Sequence, residues 1–365
     1  MNYDILLGRK PFRLDYQKDL EYLKGKRILI TGAGGSIGSE LSQQMIFGLA
    51  DRLYLFDHSE NNVYEINRKL LEIQKCQDFS LKTHIEPIVG EIQDTDYVNF
   101  LIERLKVDIV FHTAAHKHVE LCERNPVEAV KNNVFGTQNI INACKKFKVD
   151  KFILISSDKA LEPTSIYGAT KFLGEELVLR EKDSHKFLIV RFGNVIGSKG
   201  SVVPLFKEQI TIKGGPVTIT DKRAKRYFMT IHEAVSLVIK VGEVGKGGNL
   251  YILDMGEQIY IEELAKKLIN HYHDHNECYK EQIEFVYTGL RDGEKLEEKL
   301  WDDTEKVENT DHPKILQARK TIQKDINGVL KDLKAVCFFD HSFPEFYRDK
   351  VKLREAINKV IPTVT

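Results

Sequence analysis

The chain has 365 residues, enough for one large α/β domain or for a dinucleotide-binding domain with a smaller companion, and neither size lacks material for a core. Its 54 lysines and arginines balance 54 aspartates and glutamates, so no overall field recruits a polyanion: a nucleic-acid partner is not expected, and any anion must be held locally. Five cysteines, an odd number at 76, 122, 144, 278 and 337 with no Cys-x-x-Cys, read as reduced thiols in a cytosolic protein, not as disulfides.

The opening segment "MNYDILLGRKPFRLD" carries charges where a signal peptide needs an apolar stretch. No later run approaches the roughly 18 apolar residues of a membrane span, so the expectation is a cytoplasmic protein without one. Residues 1–23 form a lead with no assigned role. From Lys24, short β-branched runs ("RILITG", "RLYLFD", "IEPIVGE", "DIVFHTAA", "KFILISS", "KFLIVRFGN") alternate with amphipathic helical segments such as "SELSQQMIFGL", "VNFLIERLK" and "VFGTQNIINACKKF". That alternation is the signature of an α/β fold with a Rossmann-type doubly wound parallel sheet, taken to span 24–200. After about Asn194 the alternation becomes irregular. "GGPVTITD" and "NLYILDMG" read as strands, and helices are expected at 231–244, 260–270 and 295–300. We read 201–365 as a smaller α/β substrate domain, with 229–253 packing back on the first. "HYHDH" at 271–275 follows a helical pattern in a polar stretch and reads as a solvated helix end, so no metal is expected.

"ILITGAGGSIGSEL" puts Gly32, Gly35 and Gly38 between an apolar strand and a helix opened by Ser36 and Ile37. Glycine permits a tight turn and close backbone approach, and the helix offers free N–H groups to a pyrophosphate. Asp57 ends the second strand nineteen residues after Gly38, near the spacing at which an acid accepts hydrogen bonds from the adenosine ribose. A carboxylate there repels a 2′-phosphate, so the expected cofactor is NAD, not NADP. Glu91 and Ile92 after the third strand would border the adenine, and Ala114 and Ala115 after the fourth leave room for the cofactor.

In "SSDKALEPTSIYGATK", Tyr167 and Lys171 lie four residues apart on a helical pattern, so both emerge on one face after the fifth strand. Lys171 would favour the phenolate and bond the nicotinamide ribose. That pair suffices for alcohol oxidation; Asp158 and Lys159 are additional.

"TGAGGSIGSEL", "AAHKHVELCERNPVEAVKNNVFGT", "SSDKALEPTSIYGATK", "RFGNVIGSKGSVVPLF", "RYFMTIHEA" and "GLRDGEKLEEKL" together resemble the extended short-chain dehydrogenase/reductases of polysaccharide biosynthesis. The likeness is to the CapD-like UDP-N-acetylhexosamine 4,6-dehydratases, and runs from about Lys24 to Pro313. It looks like the catalytic part of the membrane-anchored members without their membrane helices. The resemblance implies oxidation at C4 of a nucleotide-linked hexose, elimination of water across C5 and C6, and return of the hydride to C6. Asp158 is then the candidate acid, Lys159 the base, kept neutral by desolvation or by the Lys171 charge, and Ser157 a hydrogen-bond partner of the C4 oxygen.

The resemblance also places Arg191, Asn194, Arg226 and Arg291 around the nucleotide sugar, "GSKGSVVP" with Ser201 and Val202 over the base, and His116 and Lys117 beside the sugar ring. It carries the expectation of a homo-oligomer paired through the helices at 127–146 and 165–182. Members with this C-terminal signature often carry methionine at the position of Tyr167. Whether Tyr167 or Asp158 takes the C4 hydroxyl proton, and whether C5 is retained or inverted, stay open. So does the nucleotide, UDP or GDP. A 4-epimerase would use the same glycine loop, Tyr167 and Lys171, but would have no use for the Asp-Lys pair.

Overall fold

The computed structural model describes residues 3–76, 83–181, 186–275, 282–320 and 324–364. Cys278 lies outside them. Six parallel strands form where the apolar runs stand: β1 Arg27–Thr31, β2 Arg52–Asp57, β3 His84–Val89, β4 Ile109–His112, β5 Lys151–Ile155 and β6 Phe187–Arg191. In β4 and β6 every residue is buried, as strands covered by helices on both faces require. Three more strands extend the sheet: β7 Leu250–Leu253, β8 Glu305–Asn309 and β9 Ile315–Lys320. The order is β8-β9-β7-β6-β5-β4-β1-β2-β3, with β9 antiparallel to both its neighbours. The chain winds outward from β1 to β3 and returns beside β1 as β4. This reversal opens a crevice at the carboxyl ends of β1 and β4, where such sheets bind ligands.

The smaller lobe has its own core, in which Val203, Phe206, Phe228, Leu264 and Tyr272 pack together. It is built around the helices Val202–Thr211 and Ile261–Asp274 and three two-stranded pairings. The helix Ile231–Val244 instead lies against the helix Ser36–Met45, where Ser236 Oγ donates to Gln44 at 3.0 Å and Gln44 to the His232 carbonyl at 3.0 Å.

Two expectations are corrected here. Residues 201–365 are not one domain. β7 falls within 229–253, expected to pack back, but β8 and β9 also belong to the large sheet, and the helices Asn327–Cys337 and Lys350–Asn358 pack on the first domain at Pro126–Val130. Residues 295–300 are not a helix either. They run beside the short strand Lys225–Arg226, where the carbonyls of Lys295 and Leu296 accept from the Lys225 amide and the Arg226 guanidinium, bonds a helix would have used internally.

The N-terminal lead straps the two lobes together. Leu6 enters the smaller core, Arg9 pairs with the buried Glu233 at 2.5 Å, and Asp19 pairs with Lys240 at 2.7 Å. Among the described residues no helix is long and apolar enough to cross a membrane.

Candidate active site

The crevice is a cleft of about 950 Å³ between the sheet and the smaller lobe. At one end Gly32 leaves β1 with φ +69°, and a Cβ there would lie 2.7 Å from the Ala114 backbone; only glycine lets the ends of β1 and β4 meet so closely. Gly35 precedes the helix Ser36–Met45 with no side chain capping its first turn, so those N–H groups are open to an anion. Gly32, Gly35, Ser36 and Ile37 line the cleft. Gly38 does not. A Cβ there would lie 2.2 Å from the Gly32 carbonyl, so it serves close helix–strand packing and not cofactor contact.

The Asp57 carboxylate, 6 % exposed, accepts the Gly34 amide at 3.1 Å and the Ser59 amide at 3.0 Å, which fixes it on the wall beside the loop. Glu91, Ile92, Ala114 and Ala115 complete this end. A glycine cradle, open helix N–H groups and an oriented carboxylate fit a dinucleotide whose adenosine ribose keeps its hydroxyls free.

The middle of the cleft is built where β5 ends. Ser165 caps the helix Ile166–Leu179 by accepting the Gly168 amide at 3.1 Å, and Tyr167 and Lys171 face the cleft from its first turns. Lys171 Nζ donates to the Ile155 carbonyl at 2.5 Å. Burial, opposed by Glu175, brings the Lys171 ammonium down to about 8. Burial pushes the Tyr167 phenol up to about 12, against the Lys159 charge and a hydrogen bond with Ser157. The Lys159 charge therefore acts on the phenol.

Lys159 lies among acceptors. Its Nζ is 3.1 Å from Asp158 Oδ1, 3.3 Å from Asn194 Oδ1 and 3.5 Å from Glu298 Oε1. Burial would lower its pKa, but the Asp158 and Glu298 carboxylates outweigh it and raise the pKa, so the expectation of a neutral Lys159 is corrected to an ammonium held between two acids. Asp158 is fully buried and absent from the cleft wall; its Oδ1 accepts the Ser157 hydroxyl at 2.8 Å, and Ser157 is what the cleft meets.

Of the arginines expected around the substrate, Arg191 is elsewhere. It is fully buried at the end of β6, with its guanidinium bonded to both oxygens of Glu175 (3.0 and 2.7 Å), both of Glu305 (2.7 and 2.8 Å) and the Leu300 carbonyl (3.0 Å). Every donor is used, so Arg191 is a structural rivet. Arg226 does line the cleft, but its two terminal nitrogens are spent on the carbonyls of Lys225, Leu296 and Lys295 and on Glu294, so the free phosphate-binding fork expected of it is not there. Arg291 is 62 % exposed, 3.9 Å from Glu120 at its closest pairing, and can swing toward a bound anion. His116, Lys117, Asn194, Ser201 and Val202 are all on the wall, and the buried Ser201 Oγ has no hydrogen-bond partner.

Two residues escape the sequence reading. Asn133 is buried and fully bonded: it accepts the His116 amide at 2.8 Å and donates to the His116 carbonyl at 2.9 Å and to Thr170 at 3.0 Å, tying the loop after β4 to the catalytic helix. Glu298 is 3 % exposed in the cleft wall, yet it falls in 295–300, read from the sequence only as a helix with no site residue.

A family model described as polysaccharide biosynthesis protein matches residues 28–320. The chain belongs to this family. Within it, the probable polysaccharide biosynthesis protein EpsC of Bacillus subtilis is 44 % identical over 313 residues, 85 % of this chain and 50 % of that protein, so the chain spans about half of EpsC's length. The UDP-N-acetylglucosamine 4,6-dehydratase (inverting) of Campylobacter jejuni is 32 % identical over 279 residues, 75 % of this chain and 77 % of that one. The structure of Pen from Bacillus thuringiensis superposes with a TM-score of 0.72 at 34 % identity, covering 81 % of this chain and 88 % of that one. The family is that of the extended short-chain dehydrogenase/reductases of polysaccharide biosynthesis, as the motifs imply.

Proposed function

We propose that the cleft dehydrates a nucleotide-linked N-acetylhexosamine, with UDP-N-acetylglucosamine as first candidate, to its 4-keto-6-deoxy form. The observation that carries this reading is Lys159, an ammonium set between two buried carboxylates on a wall it shares with Tyr167. Oxidation at C4 alone would need only Tyr167 and Lys171. NAD, held by the glycine loop and Asp57, would take the C4 hydride and give it back at C6.

The protein's own groups manage the protons. Tyr167 and Ser157 are placed to receive the C4 hydroxyl, with the Lys159 charge favouring the phenolate. Lys159 removes the C5 proton, which the adjacent ketone has made acidic. Asp158, behind the wall, takes up the C4 hydroxyl proton from Tyr167 by way of Ser157 Oγ, 2.8 Å away, and returns it by the same route to the C6 hydroxyl. The open first turn of the helix Val202–Thr211 and Arg291 supply the anion contacts for the diphosphate.

The test is mass spectrometry of the product after incubation with UDP- and GDP-linked N-acetylhexosamines. Loss of one water from the sugar supports dehydration. An unchanged mass with a changed C4 configuration would make the protein an epimerase and leave the Asp158–Lys159 pair without a task.

A further inference from the structure

We propose that Glu298 is the proton-holding partner of Lys159: it takes one proton from the Lys159 ammonium so that the amine can act as the base at C5. This role rests on the dehydratase reading and assigns a residue which that reading leaves idle.

The cleft has to solve a problem of charge. A base must be neutral when it acts, yet Lys159 sits among acceptors that favour its ammonium. Asp158 cannot relieve it while serving as the acid, because by the time of elimination it holds the C4 hydroxyl proton destined for the C6 hydroxyl. Asn194 accepts a hydrogen bond but no proton. Glu298 is the remaining group in reach. Its Oε1 is 3.5 Å from Lys159 Nζ, and its Oε2 is buried with no hydrogen-bond partner. A buried carboxylate oxygen left unbonded is costly as an anion and far less so as an acid.

The other cations also pull the Glu298 pKa down, but none hydrogen-bonds Oε2. Lys295 Nζ stands 3.9 Å from Oε2 and donates instead to the Leu161 carbonyl at 2.9 Å; Arg226 is spent on Glu294 and on backbone. Burial raises the Glu298 pKa against the pull of Lys159, the direction a proton acceptor needs. The backbone around it is anchored, since the Glu298 carbonyl accepts from Gln258 at 2.9 Å, so the carboxyl is presented to Lys159 from a fixed position.

The step balances. One N–H bond of the ammonium breaks as an O–H bond forms on Glu298, and the ion pair becomes a neutral pair, which the burial of Glu298 favours. The amine lone pair then takes the C5 proton, the C5–H electrons move toward the C4 ketone and expel the C6 oxygen, and Asp158 returns the proton it took from the C4 hydroxyl, which leaves with that oxygen as water, so Asp158 and Tyr167 end as they began. When hydride returns to C6, Lys159 gives its proton to C5 and recovers one from Glu298. Glu298 ends as it began, a carboxylate.

The experiment is single-turnover absorbance at 340 nm with UDP-N-acetylglucosamine from pH 6 to 8, together with C5 deuterium exchange in heavy water, on the wild type, Glu298→Gln and Glu298→Asp. In the wild type the decay of the NADH signal into product should be flat with pH, since the proton moves within the site. In Glu298→Gln the amine can lose its proton only to solvent. The decay and the C5 exchange should then slow by about 10²-fold at pH 7, NADH should accumulate, and the rate should climb about tenfold per pH unit. Glu298→Asp keeps a proton acceptor and should recover part of the rate with the flat profile. Wild-type decay and exchange in Glu298→Gln would overturn the proposal. So would an equal loss of NADH formation and of its decay at every pH, the mark of a merely structural residue. A wild type that dehydrates none of these substrates overturns the reaction itself and this role with it, a failure visible before any variant is made.

Discussion

Lys171 and Lys159 are both cleft-facing lysines, but their surroundings push them in opposite directions. Lys171 has only Glu175 against its burial, so its charge is present at neutral pH and is lost through about 8. Because the ammonium is the form disfavoured in the fold, C4 oxidation should hold below pH 8 and fall above it; Lys171→Arg, charged at every accessible pH, should move that limb upward in NADH-formation profiles. Lys159 is held as an ammonium until elimination calls on it. Lys159→Met should still bind cofactor but lose both the base at C5 and the charge that favours the Tyr167 phenolate, so C4 oxidation slows and dehydration falls by roughly 10² to 10⁴; dehydration at the wild-type rate would remove Lys159 from the mechanism. At this scale the sequence shows which residue types gather after β5, because they are contiguous. It does not show their protonation, which depends on a carboxylate 139 positions further on, by subtraction of 159 from 298.

Arg191 shows how far an element's position can mislead. An arginine at the carboxyl end of a central strand reads as a substrate ligand because that edge is where ligands bind. The structure turns it away from the cleft, into Glu175 on the catalytic helix and Glu305 on β8. β8 is the partner the sequence reading lacked. Six strands stand out as continuous apolar runs, whereas β8 ("EKVEN") and β9 ("ILQARK") are mostly polar strands at the sheet margin whose pattern gives no strand signal. Arg191→Met should leave two buried carboxylates without their main partner and cost about 3–5 kcal/mol in denaturant unfolding. If Arg191→Met instead raised KM and left stability unchanged, the residue would be a substrate ligand after all.

For the whole molecule, the consequential difference lies at the C-terminal end. The helices Asn327–Cys337 and Lys350–Asn358 lie over Pro126–Val130, fastened by Arg354 to Glu123 and Arg348 to Glu128, at 2.7 and 2.8 Å, and by Phe338 on Phe135. Lys320 and Lys324 reach across Phe172 of the catalytic helix, which is buried along nearly its whole length. The N-terminal part of the first helix expected to pair with a neighbouring subunit, and Phe172 on the second, are therefore covered within a single chain. Deleting residues 324–365 should uncover Val127, Ala129 and Phe135 and produce self-association in light scattering; a truncated chain of unchanged size and Tm would show that the hairpin covers nothing that matters.

The central claim is that one cleft oxidises C4, eliminates water and returns the same hydride to C6. UDP-N-acetylglucosamine labelled with deuterium at C4, turned over by the full chain, tests it most directly by NMR of the product. The account predicts a 4-keto-6-deoxy sugar carrying the label in its C6 methyl group; label returned to C4 of an intact hexose, with no loss of water, would contradict it.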